Sequence, residues 1–177
     1  RLDRYYVYNE SIGGGMGARA SRDGVDGVHV HVTNSANIPV EALESEHPVM
    51  VEAYELVQDS GGAGRHRGGM AIRRRLRAEG HDATINLGGP LNREPAWGID
   101  GGLPGGLARV ELDEGVAPLQ ARDGIVPAGH AATAITAGGG GWGDPATRDR
   151  DLVRKDLREE RISPAAARVL YRLEGPV

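Results

Sequence analysis

The sequence predicts an α+β fold: a β-rich body over residues 1–145 with glycine-rich loops, followed by a short helical tail over residues 146–177. Three observations carry this. Apolar and polar residues alternate in several short runs, the period of half-buried strands. Glycine supplies 28 of 177 residues, gathered around positions 13–17, 61–69, 101–106 and 138–143, with neither the every-third spacing of collagen nor the serine-glycine monotony of a linker. After Pro145 the composition turns charged, with isolated apolar residues.

Taken in order, the chain opens on the strand-like Tyr5-Tyr6-Val7-Tyr8, and its first residue is Arg1, which favours the later part of a longer polypeptide over a processed terminus. Val28, Val30 and Val32 alternate with His29, His31 and Thr33, predicting a strand with one polar face. Pro39 followed by Val40-Glu41-Ala42-Leu43-Glu44 predicts a short helix, since proline is tolerated at a helix start and glutamate suits the first turn. Alternation at 49–54, 83–87 and 108–112 predicts three more strands. In 70–78, Met70, Ile72, Leu76 and Ala78 fall on one face and Arg73, Arg75 and Arg77 on the other. The tail reads as two helices, one within 149–160 and one over 165–173, the second opened by Ser163-Pro164 as N-cap and first-turn proline.

A net charge of −4 and a pI near 5.9 argue against a nucleic-acid or membrane-binding surface and favour a cytoplasmic protein. With no cysteine, disulfide and thiolate chemistry are excluded. No apolar run approaches the roughly 20 residues that span a bilayer. The chain has no Phe and only two Trp, so its core must use small side chains and invites surface from another chain.

The polar groups best suited to a site lie in His29-Val30-His31-Val32-Thr33-Asn34-Ser35-Ala36-Asn37-Ile38-Pro39-Val40-Glu41. Histidines at i and i+2 of a strand share a face, where they can line a site, pass a proton or ligate a metal. A zinc site needs about four ligands, and no further histidine or carboxylate follows at a diagnostic spacing. The alternative is a pair of hydrogen-bonded histidines on a wet face. Asn34 and Asn37 bracket a turn, where an amide can bind a substrate amide or simply its own backbone. Glu41 suits a helix first turn as well as a general base. Arg73 could bind an anionic substrate or belong to a charged outer row. The glycine clusters lack the lysine of a phosphate loop and the strand-to-helix G-x-G-x-x-G context, which argues against a nucleotide site of either kind.

Five segments, taken together, bring out a family. They are Glu10-Ser11-Ile12-Gly13-Gly14-Gly15-Met16-Gly17-Ala18-Arg19, the stretch 29–41, Asp59-Ser60-Gly61-Gly62-Ala63-Gly64-Arg65-His66-Arg67-Gly68-Gly69, Trp97-Gly98 with Gly101-Gly102, and Gly138-Gly139-Gly140-Gly141-Trp142-Gly143-Asp144-Pro145. In this order they resemble the C-terminal part of the hydantoinase B / 5-oxoprolinase family, the N-methylhydantoinase B-like subunits related to acetone and acetophenone carboxylase subunits. The resemblance implies part of an ATP-dependent hydrolase of C–N bonds in small cyclic amides, with ring opening on the B side. It implies a hydantoinase A-like ATP-using partner that holds ATP and magnesium, the remainder of the B subunit as a second partner, and a divalent metal in that remainder. No cofactor is then bound by this chain. His29 and His31 become the catalytic candidates, and Asn34, Asn37, Glu41 and Arg73 the substrate-binding ones. A non-catalytic scaffold role, or part of a ketone carboxylase, stays open on the sequence.

Overall fold

Strands form at four of the period-two runs, β1 (Val49–Leu56), β2 (Ile72–Ala78), β3 (Ala83–Asn86) and β4 (Arg109–Leu112), and at two further segments, β5 (Asp123–Val126) and β6 (Ala131–Ile135). The structure is a computed structural model and describes residues 6–30, 33, 35–86, 94–119 and 123–175. Its main sheet is antiparallel throughout in the order β1-β2-β6-β4, and β3 and β5 form a separate antiparallel ribbon. The fold is therefore mixed α+β. Neither β6, inside the main sheet, nor β5 of the ribbon carries strong alternation; β6 reads Ala-Ala-Thr-Ala-Ile and gives no polar face to see.

Helix α1 (Val40–Glu46) begins after Pro39, with Glu41 in its first turn and Leu43 buried. Helix α2 (Arg150–Arg158) is capped by Asp149, whose side chain accepts from the Asp151 amide. Helix α3 (Pro164–Val169) is capped by Ser163, which accepts from the Ala166 amide. It stops short of the expected end at 173. The Tyr171 amide turns back to the Ala166 carbonyl and Arg172 takes a positive φ of 51°, which breaks the helix and sends Tyr171 into the core. No helix among the described residues is long and apolar enough to cross a membrane.

The expected strand at 28–32 is corrected over its described part. Val28 makes one antiparallel bridge to Gly14 and the pairing goes no further. The reason lies in the partner segment, where the Gly14 amide bonds Val28 but the next amide, Gly15, turns to the Ala137 carbonyl at 2.8 Å. Residues 31, 32 and 34 lie outside the described residues.

That alternation of partners is general in the glycine-rich segments, which form a bundle in place of loops. Segment 137–143 sits at its centre. Its Gly138 amide donates to Gly106, Gly139 to Gly69, Gly141 to Leu103 and Trp142 to His66, while its carbonyls accept from Gly15, Gly62, Ala18 and Ile99. A sheet strand has two hydrogen-bonded neighbours; this one is held from segments 14–18, 60–69 and 96–106. Such contact on every side needs glycine. A methyl on Gly138 would lie 1.8 Å from the Ser60 carbonyl oxygen, and one on Gly68 1.9 Å from that of Gly139. β1, β2 and β6 all run directly into the bundle, so sheet and bundle share three continuous backbones.

One apolar cluster lies where the tail meets the bundle, formed by Ala63, Val153, Ile162, Ala167, Tyr171 and Leu173, while the sheet buries Ile72, Ala78, Ala131 and Ile135, and α1 buries Leu43. Beside it Arg148 is almost fully buried. Its Nη1 and Nη2 bond the two carboxylate oxygens of Asp23 at 2.7 Å each, and Nη2 also reaches Asp156 at 2.8 Å. Arg67 joins at 3.1 Å from Asp26. Burial would raise the Asp23 carboxyl, but hydrogen bonds and charge from Arg148 outweigh it and hold it below the usual range. At Asp156 burial wins over the charges of Arg148 and Arg67, and that carboxyl is raised.

Candidate functional site

The turn preceding α1 is clamped from below by residues of three other elements. In the segment before the first glycines, Tyr8 and Glu10 turn inward while Val7 is exposed. The Glu10 side chain is only 6% exposed and stands 2.9 Å from Nη1 of Arg74, whose side chain is wholly buried. Its Oε1 accepts the backbone N–H of Ile38 at 2.8 Å, and its Oε2 accepts the Tyr8 hydroxyl. Burial, reinforced by that bond to Glu10, pushes the Tyr8 hydroxyl well above its ordinary pKa, so it stays a proton donor.

The clamp closes on the outside through Tyr54 of β1. Its ring lies over the Arg74 guanidinium, 4.8 Å from centroid to Cζ, and its hydroxyl donates to Asn37 Oδ1 at 2.7 Å. Asn37 Nδ2 in turn donates to the Ser11 carbonyl at 3.1 Å. The pairing of Tyr54 with Arg74 across β1 and β2 sets this register. Tyr54→Phe keeps ring, strand and cation contact but removes the donor to Asn37 Oδ1. It is expected to lower stability by no more than about 1 kcal/mol, with the Asn37 side-chain amide losing its distinct NMR environment; an unmoved amide signal would show that the bond does not hold the turn.

The structure thus brings Asn37 to Glu10, Tyr54 and Arg74. Glu41 is exposed in the first turn of α1, where it faces the helix dipole. Arg73 is on the opposite face of β2 and pairs with Glu55 at 2.8 Å, part of an outer row in which Arg75 and Arg77 share Glu52. A register shift in β1 between Val51 and Ala53 turns Glu52 toward them. His29 is half-buried, and its Nε2 is buried with no hydrogen-bond partner among the described residues. His31 and Asn34 lie outside the described residues. Among the described residues no three His, Cys, Asp or Glu side chains are grouped to hold a metal.

Glu10, Tyr54 and Arg74 were absent from the sequence-based candidates, yet one signal pointed to them. Arg74 falls in phase with Ile72 and Leu76 on the inward face of β2, and an inward cation calls for a carboxylate. Two open clefts, of about 390 and 700 Å³, lie at the seam between tail and bundle and are lined by Gln58, Glu160 and neighbours, by none of the candidate residues.

A small antiparallel sheet running into a backbone-packed glycine bundle, with a polar turn clamped over a buried ion pair, defines the class: an α+β module that presents a turn. The chain belongs to the hydantoinase B/oxoprolinase family, whose model matches residues 1–145. It is 37% identical over 174 residues to a protein of Methanocaldococcus jannaschii, covering 97% of this chain and 31% of that one. The caprolactamase subunit beta of Pseudomonas jessenii is 32% identical over 141 residues, 75% of this chain and 24% of that subunit. The crystal structure of the ATP-dependent caprolactamase from that organism superposes with a TM-score of 0.73 at 26% identity, covering 93% of this chain and 30% of that one. 5-Oxoprolinase 1 of Arabidopsis thaliana is 32% identical over 145 residues, 80% of this chain and 11% of that protein. The chain therefore spans about a third or less of the length of these relatives.

Proposed function

We propose that this chain is the turn-presenting part of a B-type subunit in an ATP-dependent hydrolase of small cyclic amides, and that segment 29–37 faces the substrate during ring opening. The observation that carries the reading is the clamp. A buried Glu10–Arg74 pair, which by itself is a poor source of stability, lies under a polar turn in which Glu10 holds the Ile38 amide and Tyr54, stacked on Arg74, holds Asn37. Relatives described as 5-oxoprolinase and ATP-dependent caprolactamase support the substrate class.

The chemistry divides between subunits. An unstrained lactam carbonyl is a poor electrophile; a phosphoryl group transferred to its oxygen would activate the ring carbon for addition of water, after which the C–N bond breaks with its electron pair and a proton going to the ring nitrogen, and a second water releases the phosphate. ATP and magnesium belong to a hydantoinase A-like partner, and a divalent metal to the remainder of the B subunit. The glycine segments support that division, because the amides of Gly15, Gly62, Gly69, Gly139 and Gly141 all donate to carbonyls within the bundle and none of these is left for a phosphate. On this chain His29 and His31 take and return the proton of the attacking water. Asn34 and Asn37 orient the ring amide from the turn. Glu41 borders the turn on α1, and Arg73 acts from the far face of the sheet through its pair with Glu55, on the charged surface that meets a partner.

The test is His31→Ala in the complex reassembled with the A-like subunit and the rest of the B subunit. Turnover of 5-oxoproline or caprolactam is expected to fall by about 100-fold or more, the range for losing a general acid–base group, with the native mass of the complex unchanged. Unchanged turnover would remove the turn from the active site and leave a scaffold role.

A further inference from the structure

The outermost layer of the glycine bundle, segment 96–107, carries an apolar surface that none of the chain's own described elements covers. Trp97 is 79% exposed and Ile99 53%, and Leu103 and Leu107 are exposed beside them. The segment reads Ala-Trp-Gly-Ile-Asp-Gly-Gly-Leu-Pro-Gly-Gly-Leu, in which Asp100 is the sole charged residue, whereas 26% of the whole chain is charged. A surface depleted of charge and centred on an exposed tryptophan has the composition of an interface core.

The backbone beneath these side chains is fixed. The Ile99 amide donates to Gly141, the Leu103 amide to Ala63, the Gly105 amide to Ala96 and the Gly106 amide to Ser60, all between 2.7 and 2.9 Å. Gly140 lies so close under Trp97 that a methyl on it would be 1.9 Å from the Trp97 carbonyl oxygen. The bond between residues 96 and 105 folds the layer back on itself, and Gly98, next to Trp97, packs against the backbone of Gly102 and Leu103. Little ordering entropy is left to lose when such a surface is covered.

We infer that this face packs permanently against the remaining polypeptide of a B-type subunit, with Trp97 as its anchor. The occupant follows from length and from chemistry. The Methanocaldococcus jannaschii relative has 69% of its length outside the match, since this chain covers 31% of it. A rigid, nearly uncharged, glycine-backed surface suits a contact of the obligate, core-like kind, and a transient partner would meet a more polar one. The inference rests on family membership and stands apart from the proposed ring-opening role.

Residues 1–177 are co-expressed with the part of the M. jannaschii relative outside its 174 matched residues, and native mass and tryptophan emission are measured. The expected result is a one-to-one complex with Trp97 emission shifted to the blue in a Trp142→Phe background. Trp97→Asp is expected to weaken the complex about 30-fold or more, as for an interface hot spot, and Leu103→Asp to weaken it as well. Val169→Asp, on an equally exposed tail residue, leaves it intact. The isolated Trp97→Asp chain keeps the wild-type urea midpoint, which separates loss of assembly from loss of fold. Failure of the wild-type chain to assemble, assembly that survives Trp97→Asp, or a homodimer that Trp97→Asp disperses would each overturn the inference. A complex that assembles through Trp97 yet opens no lactam once the A-like subunit, ATP and magnesium are added would leave it standing and refute the proposed function.

Discussion

Gly138→Ala is expected to leave no folded protein, or one destabilised by more than about 4 kcal/mol, the range reserved for gross core disruption. The added methyl would sit 1.8 Å from the Ser60 carbonyl oxygen and 2.6 Å from its carbon, with the Gly106 amide nitrogen 3.1 Å away. All three are backbone atoms, so no side chain can swing aside. Relief would require moving segment 137–143 away from segments 60–69 and 96–106, and that breaks their hydrogen bonds. The matched control is Gly17→Ala. Its methyl would meet nothing nearer than the Gly140 carbonyl oxygen at 4.0 Å, and its backbone is in a region open to alanine. There the change should be neutral or stabilise by up to about 1 kcal/mol, through the narrower unfolded ensemble. Urea unfolding of the two variants settles the matter: similar midpoints would mean that the bundle does not pack as closely as these distances require.

Arg148→Met is expected to cost about 3–5 kcal/mol, because removing one member of a buried ion group strands the others. Asp156 would keep only the Arg67 guanidinium, 3.7 Å away, and Asp23 would lose both of its strongest bonds. The loss should fall first on α2 and α3, since Arg148 ties Asp23 near the first glycines and the Arg65 carbonyl to Asp156 of α2. Limited proteolysis is expected to cut within the tail before the body. The double variant Arg148→Met with Asp156→Leu should recover part of the loss by removing the stranded carboxylate. A single variant with an unchanged urea midpoint would mean that the network is not holding the tail.

Much of this architecture was legible. The strands β1 to β4 follow from alternation, and the tail helices from Asp149, Ser163 and Pro164 at their starts. What escaped has physical causes. β6 is central and covered, so Ala131, Thr133 and Ile135 need no polar alternation, and periodicity has nothing to report. Val28 to Val32 show the opposite failure, a strand pattern without a strand ladder, because Gly14 and Gly15 send successive amides to different neighbours. At the candidate site Asn37 was named from the sequence, and its supports were not. Glu10 lies 64 residues from Arg74, and only the fold sets them together.

The glycine bundle bears on how stability responds to temperature. It is held by peptide groups bonding peptide groups, and the buried apolar residues beside it include many alanines and no phenylalanine. Unfolding would expose proportionally more polar and less apolar surface than in a leucine- and phenylalanine-packed domain. Apolar exposure raises the heat capacity of unfolding and polar exposure lowers it, so the stability curve is flattened. A module built this way loses comparatively little of its folding free energy across a broad thermal range.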